Sequence, residues 1–420
     1  MGTARTAFSR GLLALCLSLP CGVALAQDVT LTIESWRTGD LAIWNEKLIP
    51  IFEAENPGIR ITFSPIASAD YDTSLSSRFA EGTAGDLIAC RPFDRSLQLF
   101  DAGYLAPLSD LAGMANFSAL AQMAWQTDDG KTPFCVPVAS VIHGFIYNWD
   151  AFDELGLEPP ATQADFFSVL DQFKADGSYV PMAMGLHDRW EAATLGYENI
   201  GPSFWKGEDG RQALISGKQK LTDPQWVLPL EVLARWKPYL GDGAADQTHT
   251  DSQNVFTLGE AAIYPASSQE IAELEAQVGF QIGAFPPPVA EDGDDCFISD
   301  ESYIGIGMNA KTPHREAARK FLAWLATPEF ANLYTNALPG FFPLSKSAVS
   351  IDDPLAQEFL SWRSRCASTL PFTSAPLSRG TPSLVQETWA AASDVMNGTE
   401  TPEKAAERLQ AVLTAARLSH

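Results

Sequence analysis

Residues 28–36, DVTLTIESW, alternate apolar and polar side chains, the two-residue period of a strand with one buried face. In the next stretch, LAIWNEKLIPIFEAENPG, apolar residues fall three and four apart, which predicts an amphipathic helix stopped at Asn56-Pro57-Gly58. IRITFSPI (59–66) reads as a second strand, YDTSLSSRFAEGTAG as a helix with a glycine stop, and DLIAC (86–90) as a short buried strand. Strand, helix, strand, helix, strand is the pattern of an α/β sheet with parallel neighbours. Ligands of such sheets sit beyond the carboxyl ends of the strands. Trp36, Arg37 and Arg91 occupy such ends.

From 91 to 134 the pattern reads as mostly helical, with turns at Gly103, Pro107 and Gly130. FCVPVASVIHGFIYN (134–148) is a longer apolar run than a single domain usually asks of one strand, and Pro137 interrupts it. Two shorter strands joined through PVAS, one in each of two domains, would account for it and make 137–140 a hinge. The run ends in Tyr147-Asn148-Trp149, which either caps a strand or marks a strand end at a ligand cleft. Helical segments fill most of 150–275, among them PATQADFFSVLDQFKADG with its glycine stop. Strand patterns return at FQIGAFP (280–286) and SYIGIGMNA (302–310). PHREAARKFLAWLATPEFANLYTN (313–336) predicts one or two amphipathic helices, and the last segment two helices split at Asn397-Gly398. These late elements resemble the opening ones and suggest a chain that returns to its first domain.

The first 26 residues read as a cleaved export signal: Arg5 and Arg10 precede the apolar GLLALCLSLPCGVALA, and ALA stands before Gln27. No other segment holds the run of ~18 apolar residues that spanning a bilayer needs. The remainder is too long for one ordinary core, which predicts two domains. The formal net charge is −24, and losing Arg5 and Arg10 with the signal makes the remainder more acidic still. Such a surface repels phosphate backbones and anionic lipid, which argues against nucleic-acid and membrane-surface roles. After the signal there remain Cys90, Cys135, Cys296 and Cys366, which in an oxidising compartment could form two bridges in any of three connectivities.

Enzyme motifs fare poorly. There is no HExxH, and the five scattered histidines lack the spacing of a zinc site. SFWK (203–206) matches SxxK without a KTG or SDN partner. EDGDDC (291–296) lacks the alternating ligands of a calcium loop. A secreted glycan-active enzyme stays open, because its paired carboxylates obey no fixed spacing.

The stretches IPIFEAENPGIRITF, GTAGDLIA with FDAGYLAPLSDL, VPVASVIHGFIYNWDAFDELGLEPPATQADF, TLGEAAIYPASSQEIAEL, AARKFLAWLATPEFANLY and PGFFPLSKSA occur in one order over nearly the whole chain. Together they resemble the extracellular solute-binding proteins of ATP-driven transporters, in particular the sugar-binding group. The resemblance implies a two-lobed α/β fold of the type II periplasmic binding protein kind, with a ligand cleft between lobes joined by hinge strands. The expected lobes are 27–138 with 297–341 and 139–296 with 342–420, hinged near 137–140, 296–300 and 340–343. It implies a periplasmic monomer that takes a sugar, delivers it to the inner-membrane permease subunits of the transporter, and needs no cofactor or metal. The same fold binding a non-sugar solute is the alternative within it. Cys90 with Cys135 and Cys296 with Cys366 are the expected pairs, each near a hinge crossing.

A sugar presents apolar C–H faces and a ring of hydroxyls, so its site wants flat aromatic rings beside planar polar groups. MAMGLHDRWEAATLGYENI and FISDESYIGIGMNAK resemble the segments with which binders of glucose-like monosaccharides place a Trp over the sugar and an Asp on its hydroxyls. The resemblance therefore makes Trp190 and Asp300, with the adjoining Glu301, expected contacts. VASVIHG places His143 in a similar hinge strand. Trp36, Arg37, Tyr71, Arg91, Phe342 and the loop residue Arg379 complete the expected set, while Trp44, Trp324 and Trp389 read as structural. IYPASSQE departs from relatives that carry Gly-Asp-Trp after a Met there, which puts a ligand role for 264–269 in doubt.

Overall fold

The computed structural model describes residues 1–3 and 28–418; the expected export signal lies almost entirely outside the described residues. Three parallel strands, β1 (Val29–Ser35), β2 (Ile59–Pro65) and β3 (Leu87–Cys90), open the chain. Between β1 and β2 the helical stretch is continuous from Leu41 to Glu55 but passes through a π-helical turn at Trp44–Leu48. Pro50, which has no N–H to give the turn before it, follows directly.

The apolar run at 134–148 is not two strands but one, β4 (Cys135–Asn148), buried along its whole length. It is continuous because its two halves hydrogen-bond different partners, with register shifts between Pro137 and Ser140. Residues Cys135–Ile142 pair antiparallel with β8 (Phe297–Met308), and His143–Tyr147 pair with β6 (Ala261–Ser267). β5 (Val180–Met182) extends that end in parallel to β6, and β7 (Ile282–Phe285) adds to β4. β8 begins earlier than its alternating pattern implied, pairs β3 at its far end, and carries β10 (Ala367–Thr369) at its start. The path is β2-β1-β3-β8-β4-β6-β5, with β9 (Phe342–Pro343) laid on β4 at Ala139–Ser140.

Packing changes partners along these strands. Residues up to Val141 of β4, and from Ile304 of β8 to Phe341, share the first core with β1 and β3. Ile142, Ile298 and Phe342 belong instead to a core with Trp362 and Cys366, and Phe145 to the large helical core of the second lobe. Segment 91–134 is less helical than its pattern suggests: only Asp94–Asp101 and Ala119–Met123 form α-helix there, beside one 3-10 turn at Met114–Asn116. The helix Gln163–Asp176 starts at a Thr162–Asp165 capping box and stops at Gly177 with φ 76°. Residues 313–336 make two helices, Arg315–Leu325 and Pro328–Ala337, parted at Thr327.

Cys90 is bonded to Cys135 and Cys296 to Cys366. A Cβ at Gly307 would meet the Cys135 and Cys90 sulfurs at 2.8 and 3.0 Å, so only glycine lets β8 lie over this bridge. No helix among the described residues is long and apolar enough to cross a membrane.

Candidate functional site

A cavity of ≈ 500 Å³ lies where β8 passes from one lobe to the other. Glu301 and Ser302 of β8 form part of its wall, Phe93 and Asp94 come from the first lobe, and Glu198, Thr373 and Trp389 from the second. Phe93, directly before the helix Asp94–Asp101, sits at φ 60°, a left-handed backbone that few non-glycine residues adopt, and such strain concentrates at functional sites. Trp389 is half-buried on the helix Leu384–Asn397, one turn beyond Val385, which lines the same cavity.

Glu198 is buried at the end of the segment Ala192–Ile200. Its Oε1 accepts the Thr373 hydroxyl at 2.7 Å and the Thr373 N–H at 3.3 Å. Burial pushes its carboxyl up to about 7 against those hydrogen bonds, and the nearby Glu301 adds to the rise. Glu301 reaches back to His143 Nε2 at 3.2 Å, so the buried histidine stands behind the cavity wall. A raised carboxyl stabilises the fold below its unfolded value and loses that contribution as pH rises through about 7. Wild-type protein should therefore lose stability between about pH 4.5 and 7 relative to Glu198→Gln, read from denaturant melts across that range. Parallel curves would remove the assignment.

Around the cavity the expected residues divide. Trp36 is nearly buried, meets Tyr71 edge-on at 5.6 Å, and lies under the Arg91 guanidinium at 4.6 Å. Arg91 is tied to Asp72 at 3.1 Å. Tyr71 itself is buried and donates its hydroxyl to the Ala89 and Glu34 carbonyls, so it has nothing to offer a ligand. Arg37 chelates Asp40 at 2.5 and 2.7 Å and lies over Phe341, with Tyr303 beside it. Phe342 is wholly inside the core.

Asp300 is committed to structure, not to a cavity. Arg363 Nε and Nη2 donate to its two oxygens at 2.8 and 2.9 Å, and Ser140 and Ser368 donate at 2.5 and 2.8 Å. Arg363 also donates to the Pro343 carbonyl at 2.9 Å. One guanidinium thus ties together β4, β8 and β9, the strands where packing changes from one lobe to the other.

Arg379 does close over the cavity region, but onto protein. Its Nε donates to Asp94 at 2.7 Å and its two terminal nitrogens to Asp128 at 2.8 Å each, bridging the second lobe to the first. Trp190 lies two turns before Glu198 on the same helical segment, half-buried, its ring 4.7 Å from that of His249. Burial works against charge on His249, yet its ion pairs with Glu191 and Glu270 push it up to about 10. Of the expected residues only Glu301 lines the cavity, with the buried His143 behind it; Trp36, Arg37, Tyr71, Arg91, Trp190, Asp300, Phe342 and Arg379 lie outside its lining.

Glu198, Phe93 and Thr373 carry no signal in the sequence, and Trp389 reads there as structural. The signal for Trp389 was its spacing from Val385, a second apolar stripe beside the core stripe Leu384–Thr388–Ala391. An aromatic face with three carboxyls and several hydroxyls is equipment for a hydroxyl-rich ligand.

Residues 35–332 match the family of bacterial extracellular solute-binding proteins. The chain is 25% identical to the multiple sugar-binding protein of Streptococcus mutans, over 69% of each chain. It is 22% identical to the melibiose/raffinose/stachyose-binding protein MelE of Bacillus subtilis, over 69% of this chain and 68% of that one. Among solved structures, apo RafE from Streptococcus pneumoniae shares the fold with a TM-score of 0.76 at 20% identity, covering 92% of this chain and 97% of that one.

Proposed function

We propose that this chain, which belongs to the bacterial extracellular solute-binding proteins, captures an oligosaccharide between its lobes and delivers it to the permease of an ATP-driven transporter. The observation that carries the reading is the cavity at the β8 crossing, walled by both lobes and furnished with Trp389, Glu198 and Glu301. Its ≈ 500 Å³ falls within the ~300–1,000 Å³ of small-molecule sites. The glucose-like monosaccharide expected from sequence gives way to a longer sugar, because the relatives with sugars in their names bind multiple sugars or melibiose, raffinose and stachyose. The lobes divide close to 141/142, 299–303 and 341/342 in this reading, and the chain acts outside the cytoplasm as a monomer.

Calorimetric titration with glucose, melibiose, raffinose, stachyose and a maltooligosaccharide series tests this. Saturable binding of at least one oligosaccharide is expected; binding of glucose alone, or of no sugar, overturns it. Trp389→Ala is expected to cost on the order of 2 kcal/mol of binding by removing the apolar platform, roughly a thirtyfold loss of affinity. Unaltered affinity in that variant would exclude Trp389 from the site.

Three carboxyls on one cavity, Asp94, Glu198 and Glu301, with Glu198 raised to about 7, also favour a second reading as a glycan-cleaving enzyme. Aryl glycosides incubated with the protein separate the two. The receptor reading expects no release of the aryl group.

A further inference from the structure

The cavity at the β8 crossing carries more negative charge than a neutral sugar calls for. Asp94, Glu198 and Glu301 all line it. Asp94 is balanced: Arg379 Nε donates to one of its oxygens at 2.7 Å and the Ser378 hydroxyl to the other at 3.1 Å. The other two pair with no arginine or lysine among the described residues. Glu301 meets His143 Nε2 at 3.2 Å and keeps 38% of its side-chain surface open. Glu198 is 5% exposed and takes both its hydrogen bonds from Thr373 through Oε1, so among the described residues its Oε2 has no donor. A carboxylate that deep is costly without a cation or a full set of donors.

Arg95, the one arginine or lysine of the lining, is exposed, where water and salt screen it. Glu198 and Glu301 repel each other, and a cation placed between them relieves that repulsion. The rest of the lining suits such a cation. Trp389 offers a ring face, to which ammonium groups are drawn. Thr194, Ser302 and Thr373 offer hydroxyl oxygens to the three N–H groups that an ammonium has to give. The formal net charge of −24 draws cations toward the protein and repels anionic sugars.

We propose that the saccharide held here is an amino sugar, its protonated amine seated between Glu198 and Glu301 and its ring against Trp389. This rests on the reading of the protein as an oligosaccharide receptor and adds the charge of the ligand. Glu198 then selects a free amine over its acetylated form, because an acetamide is neutral and brings one N–H where the ammonium brings three.

Calorimetry compares glucosamine and galactosamine trisaccharides with their fully N-acetylated counterparts, which share the skeleton and lack the charge. Wild type is expected to bind one of the free amines about tenfold more tightly than its acetylated form, the worth of one hydrogen bond to a charged group. Binding at about pH 6 is expected to release protons, because Glu198 is raised to about 7 in the unliganded protein and an ammonium beside it favours the carboxylate. Titrations in buffers of different ionisation enthalpy read that release. Glu198→Gln is expected to abolish both the preference and the release. Glu301→Gln, on the more open side chain, is expected to reduce the preference, and it carries the test if Glu198→Gln proves unfolded in thermal melts. Equal or weaker affinity for the free amines, while an acetylated or other neutral sugar binds, overturns the amino-sugar inference and leaves the receptor reading standing. So does a preference that survives both substitutions. Binding of no saccharide, charged or neutral, overturns both.

Discussion

Asp300→Ala is expected to destabilise the unliganded protein by about 3–5 kcal/mol, the cost of leaving a partly buried arginine without its carboxylate. Asp300 accepts four hydrogen bonds, two from Arg363 and one each from Ser140 and Ser368. Burial alone would raise its carboxyl, but Arg363 and the two hydroxyls together hold it below the ordinary carboxylate range. A lowered carboxyl stabilises the fold above its unfolded value of about 3.9 and loses that contribution as pH falls through the folded value. The difference between wild type and Asp300→Asn should therefore shrink toward acid pH, while the loss in Asp300→Ala should be large at pH 7. Urea unfolding followed by tryptophan fluorescence measures both. A loss under about 1 kcal/mol in Asp300→Ala would mean that Arg363 finds other acceptors and that the three strands hold together without it.

Removing either disulfide is expected to cost roughly 4 kcal/mol. The bridges close loops with sequence separations of 45 and 70 residues, and in the chain-entropy account the gain grows only slowly with loop length, so the two should be nearly equal. Cys90 and Cys135 belong to the first core, whereas Cys366 belongs to the core around Trp362 with Cys296 packed on it. Because the pairs lie in different cores, Cys90→Ser/Cys135→Ser and Cys296→Ser/Cys366→Ser should be additive when combined. Guanidinium melts of the two double variants and the quadruple variant decide it. Strong non-additivity would show that the two bridges are energetically coupled.

Much of the fold was legible because local pattern and tertiary partner agree. β1 and β2 alternate because one face of each is buried, and the helix Gln163–Asp176 announces both ends through Thr162, Asp165 and Gly177. β4 misled because burial on both faces erases the alternation, and a strand that serves two lobes looks like two strands. The site was harder. Glu198 and Thr373 are joined by a hydrogen bond across 175 residues, and Asp300 finds Arg363 across 63, neither with any local signature. Phe342 came from the resemblance of PGFFPLSKSA, which fixes position along the chain but not which face a side chain turns to the core. Trp389 was assigned to packing because a helix can carry two apolar stripes, and one sequence does not say which of them is covered.

The bridge from Arg379 to Asp94 and Asp128 has a consequence for where such a protein works. Its side chains are about a quarter to two-thirds exposed, so mobile ions reach them and weaken the attraction within a screening length of about 8 Å at physiological salt. A compartment outside the inner membrane follows the salinity of its surroundings far more closely than the cytoplasm does. The pull that this bridge exerts across the seam is therefore stronger in dilute medium than in brine. For a receptor of the proposed kind, the salt of the surrounding water would thus act on the same seam that the solute enters.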